Sequence, residues 1–276
     1  MKPEGPYLIG VDGGTESLRA GVFDLRGTPL AYASTAYPTR FPHPAWAEQD
    51  PRDWWKALGS SVREAVQKSS IQPEEILAMA VDTTCCSVVA LDQKGEPLRP
   101  CLIWMDMRSA PQTEKVIATG DPALRVNSNG KGPVSAEWMI PKALWIRENE
   151  PDIFDGSETV CEYQDYINLH LTGRRTASIN NASCRWHYDR ARGGFPETLL
   201  EKLGLSTLAD KWPQEVLNLG EIIGGLTSQA SEHLGLPGTF LLSREEQMPL
   251  SAWLDLAWCV RAALPSLPVH RTSISV

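Results

Sequence analysis

An α/β fold on a mixed sheet is predicted by three observations. Short β-rich runs joined by tight turns crowd the N-terminal third, one amphipathic helix interrupts them, and later segments carry helical spacing. Tyr7–Val11 is an apolar run stopped by Asp12-Gly13-Gly14-Thr15. Leu18–Asp24 alternates, Arg26-Gly27-Thr28-Pro29 marks a turn, and Leu30–Ala36 resumes a strand, so the three read as an antiparallel meander. After a Pro- and Trp-bearing loop over 38–48, Asp50 supplies an N-cap and Pro51 a first helical residue. Trp54, Leu58, Val62 and Ala65 then recur at helical spacing, which predicts a helix. Ile76–Val81 and Ser87–Leu91 are further strands, with a turn at Asp92-Gln93-Lys94-Gly95. Helices are expected over Pro111–Ala118, Ile140–Asn149, Tyr163–Leu171, Glu197–Leu203 and Ser228–Leu234. Three antiparallel strands, a helix and a strand leading into more sheet form the ribonuclease-H-like pattern. A mixed five-stranded sheet with added helices is the expectation, in one domain over 6–239.

Composition narrows the function classes. With 42% hydrophobic and 22% charged residues in 276, the chain is an ordinary globular protein able to bury a core. A formal net charge of −8 argues against nucleic acid or an anionic membrane as the main partner, since both need a basic face. The cysteines are scattered, without a Cys-x-x-Cys pair, and adjacent Cys85 and Cys86 are poor disulfide partners. The start of the chain has no apolar signal core, and no uncharged run is long enough to cross a bilayer. A soluble, cytoplasmic protein is expected.

Asp12-Gly13-Gly14-Thr15-Glu16-Ser17-Leu18-Arg19 lies between two predicted strands. Glycines there let backbone N–H groups approach an anion, because no β-carbon intervenes. Thr15 and Ser17 add hydroxyls, Arg19 a cation, and Asp12 a carboxylate able to orient hydrated magnesium. A plain hairpin turn fits the same residues equally well.

A second set is polar and strand-terminal. Asp82-Thr83-Thr84-Cys85 again puts an aspartate and hydroxyls at a strand end. Trp104, Asp106 and Arg108 alternate, so on an extended segment they share a face suited to a polyol, the ring against carbons and the charges on hydroxyls. A buried tryptophan beside a structural Asp–Arg ion pair is the plainer reading of the same residues. Glu137 precedes a helix, where it reads as a capping residue, and Leu144 and Trp145 as core. Glu162-Tyr163-Gln164-Asp165-Tyr166 reads as a helix start with its tyrosines turned inward. Arg185 is the strong cation in a stretch of small polar residues, and a solvated surface charge is the alternative.

Together these segments resemble the FGGY carbohydrate kinases, most closely their ribulokinase-like members. The matching stretches are Val11–Thr15, Trp104–Arg108, Ser135–Trp138 through Pro141–Trp145, and Leu171-Thr172-Gly173, within Tyr7–Thr239. The resemblance implies an actin-like ATPase fold in two domains, a first holding the sugar and a second holding ATP. It implies transfer of the ATP γ-phosphate to a ketose such as ribulose or a related pentulose, with ATP and Mg2+ as cofactors. Asp12, Gly13, Gly14, Thr15, Ser17 and Arg19 would then face the phosphates and Asp12 the magnesium. Cys85, Trp104, Asp106, Arg108, Glu137 and Arg185 would lie at or near the sugar. The expected partner is a small-molecule ketose, not nucleic acid or membrane, and a homodimer stays open.

One departure qualifies this. The family continues past a segment like Leu234–Thr239 into a strand and Gly-Gly-x-Asp, whose aspartate takes the proton from the attacking hydroxyl. This chain reads Phe240-Leu241-Leu242-Ser243-Arg244-Glu245 and ends at Val276 without that motif. The expectation is therefore a sugar-binding domain without the general base or the ATP domain, followed by a divergent, partly disordered tail over 240–276. Such a chain would be inactive alone, and a non-catalytic sugar-binding fragment or regulatory pseudoenzyme is the alternative.

Overall fold

Strand β1 (Tyr7–Gly13) runs antiparallel to β2 (Ser17–Asp24), which runs antiparallel to β3 (Pro29–Ala36). This is the expected meander. The computed structural model describes residues 5–126, 134–218 and 220–237, and the backbone of 240–242. After β4 (Glu48–Gln49), helix α1 (Pro51–Ser69) starts where the Asp50 side chain accepts from the Arg52 N–H and Pro51 takes the first turn. Its stripe of Trp54, Leu58, Val62 and Ala65 is fully buried against β2 and β3. Then β5 (Ile76–Thr83) returns parallel to β1.

The chain continues through β6 (Val89–Leu91), β7 (Cys101–Leu102), α2 (Ala110–Ala118), α3 (Met139–Asn149) and α4 (Pro151–Gly156). It goes on through β8 (Thr159–Cys161), α5 (Tyr163–Thr172), β9 (Thr176–Ser178), α6 (Ile179–Arg185), α7 (Glu197–Lys202) and α8 (Leu208–Lys211). The last described elements are β10 (Glu215–Leu217), β11 (Ile222–Gly225), α9 (Ser228–Leu234) and β12 (Phe240–Leu242).

The central sheet has six strands, in the order β11-β12-β5-β1-β2-β3, where five were expected. The difference has a local cause. Ser87–Leu91 does not join this sheet, because the chain leaves β5 through Cys86, whose φ of 63° turns it away, and β6 pairs with β8 instead. The place beside β5 is taken by the backbone of Phe240–Leu242, running parallel to Ala78–Ala80. A domain boundary at 239 therefore excludes a strand of the sheet. The remainder of the expected tail, 243–276, lies outside the described residues.

Two apolar clusters support the fold. One lies between the sheet, α1 and α5, with Ile9, Val11, Leu58, Val62, Tyr163 and Ile167 at its centre. The other gathers Met139, Ile140, Phe154, Trp186, Leu200 and Trp212 from the later helices. Among the described residues no helix is long and apolar enough to cross a membrane, and the five described cysteines form no disulfide.

Candidate functional site

A cleft of about 520 Å³ opens at the C-terminal ends of β1 and β5. Asp12, Thr15, Cys85, Trp104, Glu137 and Arg185, all named from the sequence, line it. A second hollow of about 450 Å³ lies beside it, lined by Gly14, Thr15, Glu16, Ser17, Arg19, Trp104 and Met105. Thr15 and Trp104 line both. The Trp104 indole N–H donates to Thr15 Oγ1 at 3.0 Å, so the ring stands as a partition between them.

The hairpin between β1 and β2 is held from inside the protein. The Thr84 N–H donates to the Gly13 carbonyl at 2.8 Å, the Tyr37 hydroxyl to that of Gly14, Gln49 Nε2 to that of Thr15 at 2.6 Å, and the Tyr37 N–H to that of Glu16 at 3.1 Å. A trans peptide points its N–H opposite its carbonyl. With the Gly14 and Thr15 carbonyls drawn inward, the Thr15 and Glu16 N–H groups face outward, the arrangement that receives an anion. Asp12 and Asp82 stand in register on the adjacent parallel strands, and Arg19, opposite Asp12, pairs with it at 3.0 Å.

The hairpin glycines matter for packing as well as for approach. A β-carbon on Gly13 would meet Tyr163 Oη at 2.8 Å and Cζ at 2.9 Å. Tyr163 is buried, stacked on Trp54 with ring centroids 3.8 Å apart, and 3.2 Å from the Tyr37 hydroxyl. Burial pushes the Tyr37 hydroxyl up to about 12, so it stays a donor to Gly14. Gly13 is thus where the hairpin turn rests on its aromatic support.

Asp106 and Arg108 occupy a different place from Trp104. Asp106 donates its N–H to the Ile103 carbonyl at 2.9 Å, closing a turn, so the segment is not extended and the alternation argument does not apply. Trp104 projects into the cleft at 37% exposure while Asp106 is fully buried. Asp106 accepts from Arg108 Nη2 at 2.7 Å and from the Ala47 N–H at 2.7 Å. Arg108 also reaches Glu48 at 2.8 Å and lies over the Trp46 ring, 3.7 Å from its centroid. These two residues form a structural ion pair behind the cleft wall and are absent from its lining.

The lining also holds Glu137, Trp138, Cys86 and Arg185. Glu137 precedes α3, whose N-cap position is Trp138, and its partly exposed side chain lies in the cleft lining. Arg185, at the end of α6, donates from Nε to Cys86 Sγ at 3.0 Å. Two residues that the sequence reading kept out of the site, Lys142 and the helix-start Glu162, stand directly behind. Lys142 is fully buried, with Nζ 2.6 Å from the Cys86 carbonyl and 2.6 Å from that of Ile103. Glu162, also fully buried, accepts from the Cys86 N–H at 2.7 Å and from Trp186 Nε1 at 2.8 Å. Burial pulls Lys142 below its ordinary value and pushes Glu162 above its own. The Pro141-Lys142 dipeptide carries no sign of this in sequence, because nothing local reveals that a helical lysine is enclosed.

Among the described residues no group of three or more His, Cys, Asp or Glu side chains converges to hold a metal. Asp12, Asp82 and Thr15 are hard oxygen donors on one cleft wall. That set suits Mg2+, which binds through one or two carboxylates and completes its shell with water and phosphate oxygens.

Comparison with known proteins fits this architecture. Residues 7–244 match the FGGY family of carbohydrate kinases, N-terminal domain. The chain is 33% identical over 203 residues to a xylulose kinase of Streptomyces coelicolor, covering 73% of this chain and 41% of that protein. It is 30% identical over 271 residues to a ribulokinase of Geobacillus thermodenitrificans, covering 84% and 46%. The crystal structure of xylulose kinase from Rhodospirillum rubrum superposes with a TM-score of 0.79 at 27% identity, covering 87% of this chain and 49% of that one. The chain therefore spans less than half the length of these relatives. Over that span the chain belongs to the FGGY family of carbohydrate kinases.

Proposed function

We propose that this chain supplies the sugar-binding half of a kinase that transfers the ATP γ-phosphate to a ketose, a pentulose such as ribulose or xylulose. The observation that carries this reading is the cleft whose lining brings Trp104, Glu137 and Arg185 together with the hairpin end at Asp12 and Thr15. An open-chain ketose has an apolar carbon ribbon edged with hydroxyls. The Trp104 ring covers the ribbon, and Glu137 and Arg185 from the same lining hydrogen-bond the hydroxyls. The outward N–H groups of Thr15 and Glu16 cradle the transferred phosphoryl, and Thr15 adds a hydroxyl. Asp12 and Asp82 would hold Mg2+, which neutralises phosphate charge when bound. The relatives' identities as xylulose kinase and ribulokinase support a pentulose over other ketoses.

Calorimetric titration of the full chain with a panel of ketoses, alongside a coupled ADP-release assay, tests this. One pentulose is expected to bind at one site, and Trp104→Ala to weaken it about tenfold, as loss of a ring stacked on the substrate should. Absence of heat with every ketose, or affinity unchanged in Trp104→Ala, would sink the reading. Binding without ADP release favours the alternative, a sugar-binding chain that does not transfer phosphate by itself.

A further inference from the structure

Three charged side chains outside the hairpin converge on one cleft residue. Cys86 sits in left-handed backbone at φ 63°, a conformation that a residue with a β-carbon adopts only when its surroundings impose it. Its N–H is taken by the Glu162 carboxylate and its carbonyl by the Lys142 ammonium, both on fully buried side chains. Its sulfur accepts from Arg185. Lys142 directs its remaining donors to the carbonyls of Ile103 and Leu102, at 2.6 and 3.4 Å. Ile103 immediately precedes Trp104, so the one ammonium ties together the two backbone segments that carry Cys86 and Trp104 into the cleft lining. Glu162 is itself held by Trp186 Nε1 and by the first turn of α5, where the Asp165 carboxylate accepts its N–H at 2.9 Å.

A stable core does not require this arrangement. Burying an ammonium and a carboxylate is costly, and apolar residues of like size commonly serve stability as well or better. What the pair provides is fixed geometry. An ammonium with three donors spent on three carbonyls, and a carboxylate with both oxygens engaged, leave the Cys86 peptide little freedom to rotate.

We infer that Lys142 and Glu162 are positioning residues that clamp the Cys86 peptide and thereby set the placement of Arg185 and Trp104 in the lining of the sugar cleft. Neither lines the cleft itself; each acts through a neighbour that does. The binding arm of the test rests on the ketose reading above, and the exchange arm does not.

The test uses the full chain with Lys142→Met, which keeps the length and removes the charge, and Glu162→Gln, which keeps the volume. Backbone amide exchange is followed by mass spectrometry, and ketose affinity by calorimetry. Val62→Ala, in the core under α1, serves as a variant destabilised away from the cleft. Both clamp variants are expected to speed exchange at least tenfold in peptides spanning Thr84–Val88 and Ile103–Met107, while β1 and β2 keep wild-type rates. Both should weaken the ketose at least fivefold, and Val62→Ala should leave affinity within twofold. If Lys142→Met does not fold, Glu162→Gln carries the decision. Exchange accelerated evenly across the molecule, or in neither cleft segment, overturns the inference; so does wild-type affinity in the clamp variants. Should the wild type bind no ketose, the ketose reading fails and the exchange pattern alone decides the clamp.

Discussion

Asp165 has the clearest single-residue consequence. It is buried at the first turn of α5, one oxygen accepting from the Glu162 N–H and the other without a partner among the described residues. Burial pushes its carboxyl well above the ordinary 3.8, and the nearby Glu162 adds to the rise. A raised acid keeps in the folded state a proton that the unfolded chain gives up. Its contribution is therefore full below the unfolded value and is lost as pH rises toward the folded one. Urea unfolding of wild type and Asp165→Asn between pH 4 and 7.5 checks this. The amide imitates the neutral acid, so the wild type should lose stability relative to the variant with rising pH. The limiting slope is about tenfold in the unfolding equilibrium per pH unit, one proton's worth. Parallel curves would show that the carboxyl titrates alike in both states.

Among the elements, the β1–β2 hairpin shows how a loop is held by hydrogen bonds from separate segments. Gln49 links it to two supports: its side-chain nitrogen donates to the hairpin's Thr15 carbonyl and to the Thr39 hydroxyl, and its oxygen accepts from Trp54. Beneath Gly13 lies Tyr163, and Gly13→Ala would drive a methyl into that ring. Relief needs backbone movement at the cleft, so the substitution should cost about 1–3 kcal/mol in denaturant unfolding, the usual range for overpacking. A double variant with Tyr163→Leu should recover part of it, since the ring is the obstacle; no recovery would place the strain elsewhere. The hairpin was legible in sequence because strand alternation and Gly-Gly punctuate it locally, as were α1 from its cap and stripe and α9 to the residue. Its support was not. Tyr37, Gln49 and Tyr163 come from separate segments, and only the assembled fold makes them neighbours.

Across the whole molecule, the Asp106–Arg108 pair joins parts that are remote in sequence. Arg108 meets Glu48 on β4 and the rings of Trp46 and Trp145, so the loop before α1 and helix α3 are fastened at one guanidinium. Arg108→Met would leave Asp106 enclosed without its cation, and a drop of about 3–5 kcal/mol is expected in denaturant unfolding. A loss under 1 kcal/mol would mean that the pair is dispensable. Motif reading placed both residues at the sugar because alternation in a short string looks the same whether the backbone is extended or turned. The six cleft-lining residues named from sequence lie at or near strand ends and helix termini, where local signals are strong; Lys142 and Glu162 stand one layer back, where position depends on distant partners. The central sheet carries a similar dependence in time. Strand β5 lies between β1 and β12, and β12 is separated from it by more than half of the chain. During synthesis β5 can pair with β1 early, yet its other edge stays open until residue 242 has left the ribosome. For that interval a nascent chain presents the apolar edge Leu77–Val81 to any neighbouring strand, a template for misassociation that chaperones would have to shield.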